Sequence, residues 1–235
     1  MKSHKTAIIT GASKGFGLAL AEQLAREGWR LLINARHANR LLKSRNRLSD
    51  LTEVIAISGD VRDEIHLLQI VEALEMKNRK VDLVVNNASS LGITPRRKLL
   101  EHPVEDLHSV FHTNVIAPLS LLQKVRPYLS EKAVIINVSS DAGKEAYERW
   151  GAYGGSKAAL DLITAILGKE YPGWRFYSFD PGDMRTDMQQ EAFPGEDISD
   201  RPLPEENAVP ACLELINGEL ESGRYTVELL KKEMV

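Results

Sequence analysis

Tyr153 and Lys157 stand four residues apart in a helical pattern, so both side chains project from one helix face. A phenol with an ordinary pKa near ~10 gives up its proton reluctantly at neutral pH. A nearby ammonium favours the phenolate and lowers that value, and a shift of about two units corresponds to roughly 2.7 kcal/mol. Such a pair suits delivery of a proton to a carbonyl oxygen while the carbon receives a hydride. A hydroxyl aimed at the same oxygen would stabilise the developing charge. Two serines, Ser139 and Ser140, close an apolar run at that stage of the chain. Taken alone, the Tyr153–Lys157 pair also fits an ordinary exposed i,i+4 pair, and a strand-end serine also fits a turn cap. The chemical reading rests on the rest of the constellation, because sites are recognised by mutual geometry.

These residues need a scaffold. Six short apolar runs punctuate the chain: Thr6–Thr10, Leu31–Asn34, Val54–Ser58, Val81–Val85, Ala133–Val138 and Arg175–Phe179. Each is rich in Val, Ile or Leu and bounded by turn residues, as suits strands buried on both faces. Helical patterns lie between them, at Phe16–Gly28, Asn39–Asp50, Asp63–Asn78, Val104–Leu129, Ala152–Tyr171 and Glu205–Asn217. The alternation predicts an α/β fold, a doubly wound parallel sheet of Rossmann type in a single domain spanning 1–235. Gly223–Val227 is a candidate seventh strand. The polar, proline-bearing stretch Gln189–Pro204 fits either a substrate-covering loop or a solvated linker.

The first run leads into Thr10-Gly11-Ala12-Ser13-Lys14-Gly15-Phe16-Gly17 and then a helix. Strand, glycine-rich turn and helix in that order let the backbone approach a pyrophosphate, with helix N–H groups facing it. The second run ends Asn34-Ala35-Arg36, with no acid to hold a free ribose hydroxyl and an arginine placed to accept a 2′-phosphate. Lys14 adds a second cation, and the two favour NADP (NADPH) over NAD by charge.

The spacing G-x-x-x-G-x-G resembles the short-chain dehydrogenase/reductase family. So do Asn86-Asn87-Ala88 after the fourth run, Asn114 in a long helix, Val138-Ser139-Ser140, Tyr153-x-x-x-Lys157 and Pro181-Gly182. The match runs in order from about Thr6 to Met188. It implies an NADPH-dependent reductase of a small ketone or aldehyde, with Asn114, Ser140, Tyr153 and Lys157 catalytic. Ser140 is preferred to Ser139 because the family's serine lies thirteen residues before the tyrosine. In the family an asparagine at the Asn114 position distorts its helix and holds a water linked to the lysine; Pro118 could also kink that helix unaided. The resemblance further implies cofactor contacts from Gly11, Ser13, Lys14, Gly15, Phe16, Gly17 and Arg36. Asp60, Val61, Asn87, Ala88, Tyr153, Lys157, Pro181, Gly182 and Thr186 would complete them, with 186–204 as the substrate loop. Alternatives are an inactive dinucleotide-binding sensor or scaffold, against which the intact catalytic set argues, and an alcohol dehydrogenase working oxidatively.

Two features depart from the family. Ser89 replaces the glycine of Asn-Asn-Ala-Gly and would be strained if that position needs an unusual backbone angle. The C-terminus, Ser222 to Val235, lacks the usual glycine-containing, tetramer-forming tail. A homodimer built on the helices at Val104–Leu129 and Ala152–Tyr171 is therefore expected.

The 235 residues suit one α/β domain, and 43% hydrophobic residues supply a core. A net charge of −3 without basic runs points away from nucleic acid and membrane surfaces. One cysteine, Cys212, excludes an internal disulfide and fits a reducing cytoplasm. The start, Met1–Lys5, is too short for a signal peptide, and no run reaches membrane-spanning length. The six histidines are scattered without a zinc signature, so no metal is expected. Trp150 reads as core packing or, three residues before Tyr153, as a wall of the substrate pocket.

Overall fold

Alternate residues of each strand enter different cores. In a computed structural model, which describes residues 4–233, Ala7 and Ile9 of the first strand join one apolar cluster and Ile8 joins the other. The same holds for Leu31 and Ile33 against Leu32. Strands buried on both faces explain the continuous apolar runs. The strands are β1 (Thr6–Thr10), β2 (Arg30–Ala35), β3 (Val54–Ser58), β4 (Val81–Asn86), β5 (Leu129–Val138), β6 (Arg175–Asp180) and β7 (Gly223–Thr226). All pairings are parallel, in the order β3-β2-β1-β4-β5-β6-β7. This is a single doubly wound α/β domain of Rossmann type.

The helices are α1 (Gly15–Arg26), α2 (Ala38–Ser49), α3 (Glu64–Met76), α4 (Val104–Phe111), α5 (Ala117–Val125), α6 (Gly151–Glu170), α7 (Asp187–Ala192), α8 (Ala208–Asn217) and α9 (Val227–Glu233). Residues of α1, α2, α8 and α9 share one cluster, and residues of α3, α5 and α6 share the other. The chain reverses its direction across the sheet between β1 and β4, which opens a crevice at their carboxyl ends.

Three elements differ from the sequence reading. The helix expected at Val104–Leu129 is α4, a π turn at His112–Ile116, then α5 and a short 3-10 turn. Pro118 has no N–H for the Asn114 carbonyl four residues back, so regular α-bonding fails there. The N–H of Ala117 instead donates to the His112 carbonyl, five residues back. Leu129 begins β5 instead of ending a helix, because Leu129 pairs with Val81 at the start of the β4–β5 ladder. Val227 opens α9 instead of extending β7, burying Leu230 in the core. Of the termini weighed in the sequence, Met1–Ser3, Met234 and Val235 lie outside the described residues.

Candidate active site

β1 ends at Thr10 and the chain turns at Gly11 with φ +67°. A Cβ there would lie 2.8 Å from Asn87 Nδ2, and one on Gly17 would collide with the same atom. Glycine is therefore required so that Asn87 can sit inside the loop. Its Nδ2 donates to the carbonyls of Thr10 (2.9 Å) and Gly11 (3.2 Å). The Thr10 hydroxyl in turn accepts from the N–H groups of Asn87 and Ala88, both at 3.0 Å. The loops after β1 and β4 are thus one unit. No side chain caps α1, which leaves its first N–H groups available to an anion.

A cavity of about 690 Å³ follows from this loop across the carboxyl ends of the strands. Every residue expected to hold a dinucleotide lines it except Gly17, which lies beneath Asn87. Size, glycine cradle and free helix N–H groups fit an NAD(P) cofactor. Arg36 is exposed at the end of β2. Lys14 is already engaged: its ammonium meets Asp187 at 2.8 Å, holding that carboxyl below its usual range, with Arg40 3.9 Å from the same oxygen. Asp60 is clamped by Arg62, whose Nη2 lies 2.7 Å from Oδ2 and whose backbone N–H donates to Oδ1 at 2.9 Å. That hydrogen bonding keeps the Asp60 carboxyl below its ordinary pKa. Thr186 caps α7 by accepting from Gln189 N–H at 3.3 Å, beside Gly15. Residues from Thr186 to Phe193, Gln190 excepted, reach the cavity; those from 194 to 204 do not.

At the other end lie Tyr153 and Lys157 on α6, both buried. The Lys157 ammonium donates to the Val138 carbonyl at 2.6 Å and sits 5.4 Å from the Tyr153 ring centre. Burial pulls the lysine down to about 8, opposed by the charges of Asp161 and Asp180. Burial also pushes the Tyr153 phenol well above its ordinary value, although the Ser140 and Ser89 hydroxyls favour its ionised form. This is the reverse of the direction that the i,i+4 spacing suggested. Desolvation of the phenol, joined by the charges of Asp180 and Asp141, outweighs its hydrogen bonds to the two serines.

Ser140, not Ser139, meets the phenol. The Ser140 hydroxyl donates to Asp141 at 2.8 Å and accepts from the Ala142 N–H at 3.2 Å. Ser139 is buried with no partner for its hydroxyl among the described residues. Asn114 sits in the π turn, buried and outside the cavity lining. Its Oδ1 accepts from Ser90 N–H (2.8 Å) and Ser89 Oγ (3.1 Å), while Nδ2 donates to the Ser90 carbonyl and Ser156 Oγ, both at 2.9 Å. An amide has four such bonds to give, so this side chain has none left for a water. A water link to Lys157 would have to start from a main-chain carbonyl of the π turn. Ser89 shows no positive φ, so the strain considered for it does not arise, and its hydroxyl instead joins Asn114 to the phenol's surroundings.

Trp150 lines the cavity with its ring 5.7 Å from that of Tyr153 and 5.9 Å from that of Phe193. The Arg96 guanidinium stacks 3.8 Å over its centre. Sequence reasoning missed Arg96, Asp141, Asp161, Asp180, Asp187 and Arg224. The only local signal was Asp161, four residues after Lys157 on the same face. Among the described residues, no group of three or more His, Cys, Asp or Glu side chains could hold a metal ion. No described helix is long and apolar enough to cross a membrane.

The family model for short chain dehydrogenases matches residues 5–197. The chain belongs to the short-chain dehydrogenase family. It is an NAD(P)-dependent oxidoreductase of that family. The chain is 32% identical over 202 residues to sepiapterin reductase of Mus musculus, covering 79% of this chain and 76% of that one. It is 29% identical over 216 residues to an NADPH-dependent pterin aldehyde reductase of Arabidopsis thaliana, covering 91% and 88%. Among solved short-chain dehydrogenases, one from Pseudomonas syringae superposes with a TM-score of 0.88 at 28% identity, over 95% of this chain and 94% of that one.

Proposed function

We propose that this short-chain dehydrogenase uses NADPH to reduce the carbonyl of a small ketone or aldehyde. The observation that carries the reading is the single cavity that holds Arg36 and Lys14 at one end and Tyr153, Lys157 and Ser140 at the other. Arg36 and Lys14 would hold the 2′-phosphate, Gly11 to Phe16 the pyrophosphate, and Asn87, Ala88, Pro181, Gly182 and Thr186 the remaining length. Bound there, the nicotinamide supplies the hydride. Ser140 turns its hydroxyl from Asp141 towards the substrate oxygen and stabilises the charge that develops on it. Tyr153 keeps its proton at neutral pH because it is buried, which is the form that reduction needs, and donates it to that oxygen. Lys157 supports the phenolate that results. The NADPH dependence of the Arabidopsis relative agrees with the two cations.

Met188, Ala192 and Phe193 pack with Tyr153 and Trp150 and form the substrate-side wall, with Trp150 and Phe193 giving it an aromatic lining. A planar carbonyl compound suits such a wall. NADPH absorbance with a panel of aldehydes and diketones, pterin aldehyde among them, tests the proposal. Tyr153→Phe should lose on the order of 10²-fold or more in rate while keeping NADPH affinity. Turnover near the parent level would overturn the role given to Tyr153.

A further inference from the structure

β7 places Arg224 opposite Ser178 of β6, and the side chain reaches back towards the catalytic helix. Its Nε donates to Asp161 Oδ2 at 3.0 Å. Its Nη2 donates to Asp180 Oδ2 at 2.9 Å and to the Ser140 carbonyl at 3.1 Å. One guanidinium therefore joins α6, the end of β6 and the second residue after β5. Fork-like donation to two carboxylates is a task for arginine and not for lysine.

The carboxylates have a neighbour in need of them. Lys157 is buried and, among the described residues, its hydrogen bond goes to a neutral carbonyl. Several charged or titratable groups lie on the elements packed around this end of α6. They are Asp161 and Tyr153 on α6, Asp180 on β6, Arg224 on β7, Asp141 and Lys144 after β5, Glu105, Asp106 and His108 on α4, and His112 in the π turn. Of these, Asp161 and Asp180 are the ones whose charges support the ammonium. Asp161 keeps its other oxygen, Oδ1, buried without a hydrogen-bond partner among the described residues. A buried acceptor left unmatched calls for an explanation, and the support of a nearby cation provides one.

We propose that Arg224 is a positioning residue of the active centre, fixing the Asp161 carboxylate in place and holding Asp180 in place and ionised, so that the buried Lys157 stays charged. The catalytic meaning of this rests on the roles proposed for Tyr153 and Lys157. The electrostatic claim does not, and it can be read without substrate. Removing Arg224 lets the buried Asp180 take up a proton, so Lys157 loses support. Removing the Asp161 charge does the same directly.

The test is the titration of Lys157 in the cofactor-free protein, followed by NMR of lysine labelled with 13C at Cε and assigned through Lys157→Met. Parent protein should titrate near 8. Asp161→Asn and Arg224→Met should each lower that midpoint by about one unit, and Arg224→Lys should recover part of the shift. Asp161→Asn keeps an oxygen for Arg224 Nε, so it decides the matter even if Arg224→Met does not fold. An unchanged Lys157 midpoint in folded Asp161→Asn would overturn the proposal and leave Arg224 a fastening of β7. In parallel, the alkaline limb of kcat/KM should move to lower pH in the same variants. If Tyr153→Phe retains turnover while the Lys157 shifts appear, the catalytic roles fall and the electrostatic network stands.

Discussion

Lys14 and Asp187 meet at 2.8 Å, so the cation of the glycine loop is tied to the first residue of α7 above the cofactor crevice. In the proposed binding mode a 2′-phosphate would compete with that carboxylate for Lys14, whereas Arg36 is exposed at the end of β2. Arg36→Ala should therefore weaken NADPH by about 1.5–3 kcal/mol, roughly ten- to hundredfold, and leave NADH nearly unchanged. Asp187→Asn should tighten NADPH several-fold and not NADH. Fluorescence titration of both cofactors decides the point, and equal effects on the two would refute the assignment.

The two serines after β5 are separable. Ser140→Ala should lower kcat by roughly 10²–10³-fold, the scale of losing one donor to a developing oxyanion. Ser139→Ala removes a hydroxyl that has no partner among the described residues and should leave kcat within a few-fold. The reverse ranking in single-turnover rates would move the carbonyl-orienting role to Ser139.

Lys157 falls to about 8 through burial, while Tyr153 rises above its ordinary value. The phenol thus stays protonated across the working range and does not set the alkaline limit. We expect kcat/KM for NADPH to fall as pH rises through about 8, when free enzyme loses the ammonium. Stability should run the other way. Between about 8 and the unfolded lysine value of about 10.4, the unfolded chain binds a proton that the folded chain lacks, so this group makes stability rise with pH. A rate that stays flat through that window would exclude a required ammonium.

One face of α6 exposes Gly155, Ala158, Leu162, Ala165 and Ile166, with Leu162 65% accessible, and Ile116 of the π turn is also exposed. These positions recur at three- and four-residue intervals and form an apolar stripe. We propose that a second copy covers it around a two-fold axis. Light scattering should give twice the 26.2 kDa of one chain, and Leu162→Glu should shift the mass towards the monomer. A parent mass of 26.2 kDa would rule the dimer out, and four times that value would show that the altered tail still permits a tetramer.

The order of elements was legible in the residues because it rests on local causes. Strand β1, the glycine turn and α1 announce themselves through apolar runs and glycine spacing, and Tyr153 and Lys157 share a face by helix periodicity alone. Arg36 could be placed because its position follows from the end of β2. The interruption of the long helix was half visible: Pro118 signalled a kink, but the π turn and the saturated Asn114 amide depend on the loop at Ser89 and Ser90 packing against them.

The electrostatics of the centre belong to the tertiary structure. Nothing local to Arg224 connects it with Asp161, Asp180 and Ser140, which lie 63, 44 and 84 residues away in the chain. They meet because β7 pairs with β6 and α6 packs across both. The direction of the Tyr153 shift was likewise undetermined by spacing. A neighbouring ammonium lowers a phenol's pKa and burial raises it, and only the packing of α6 decides which is larger.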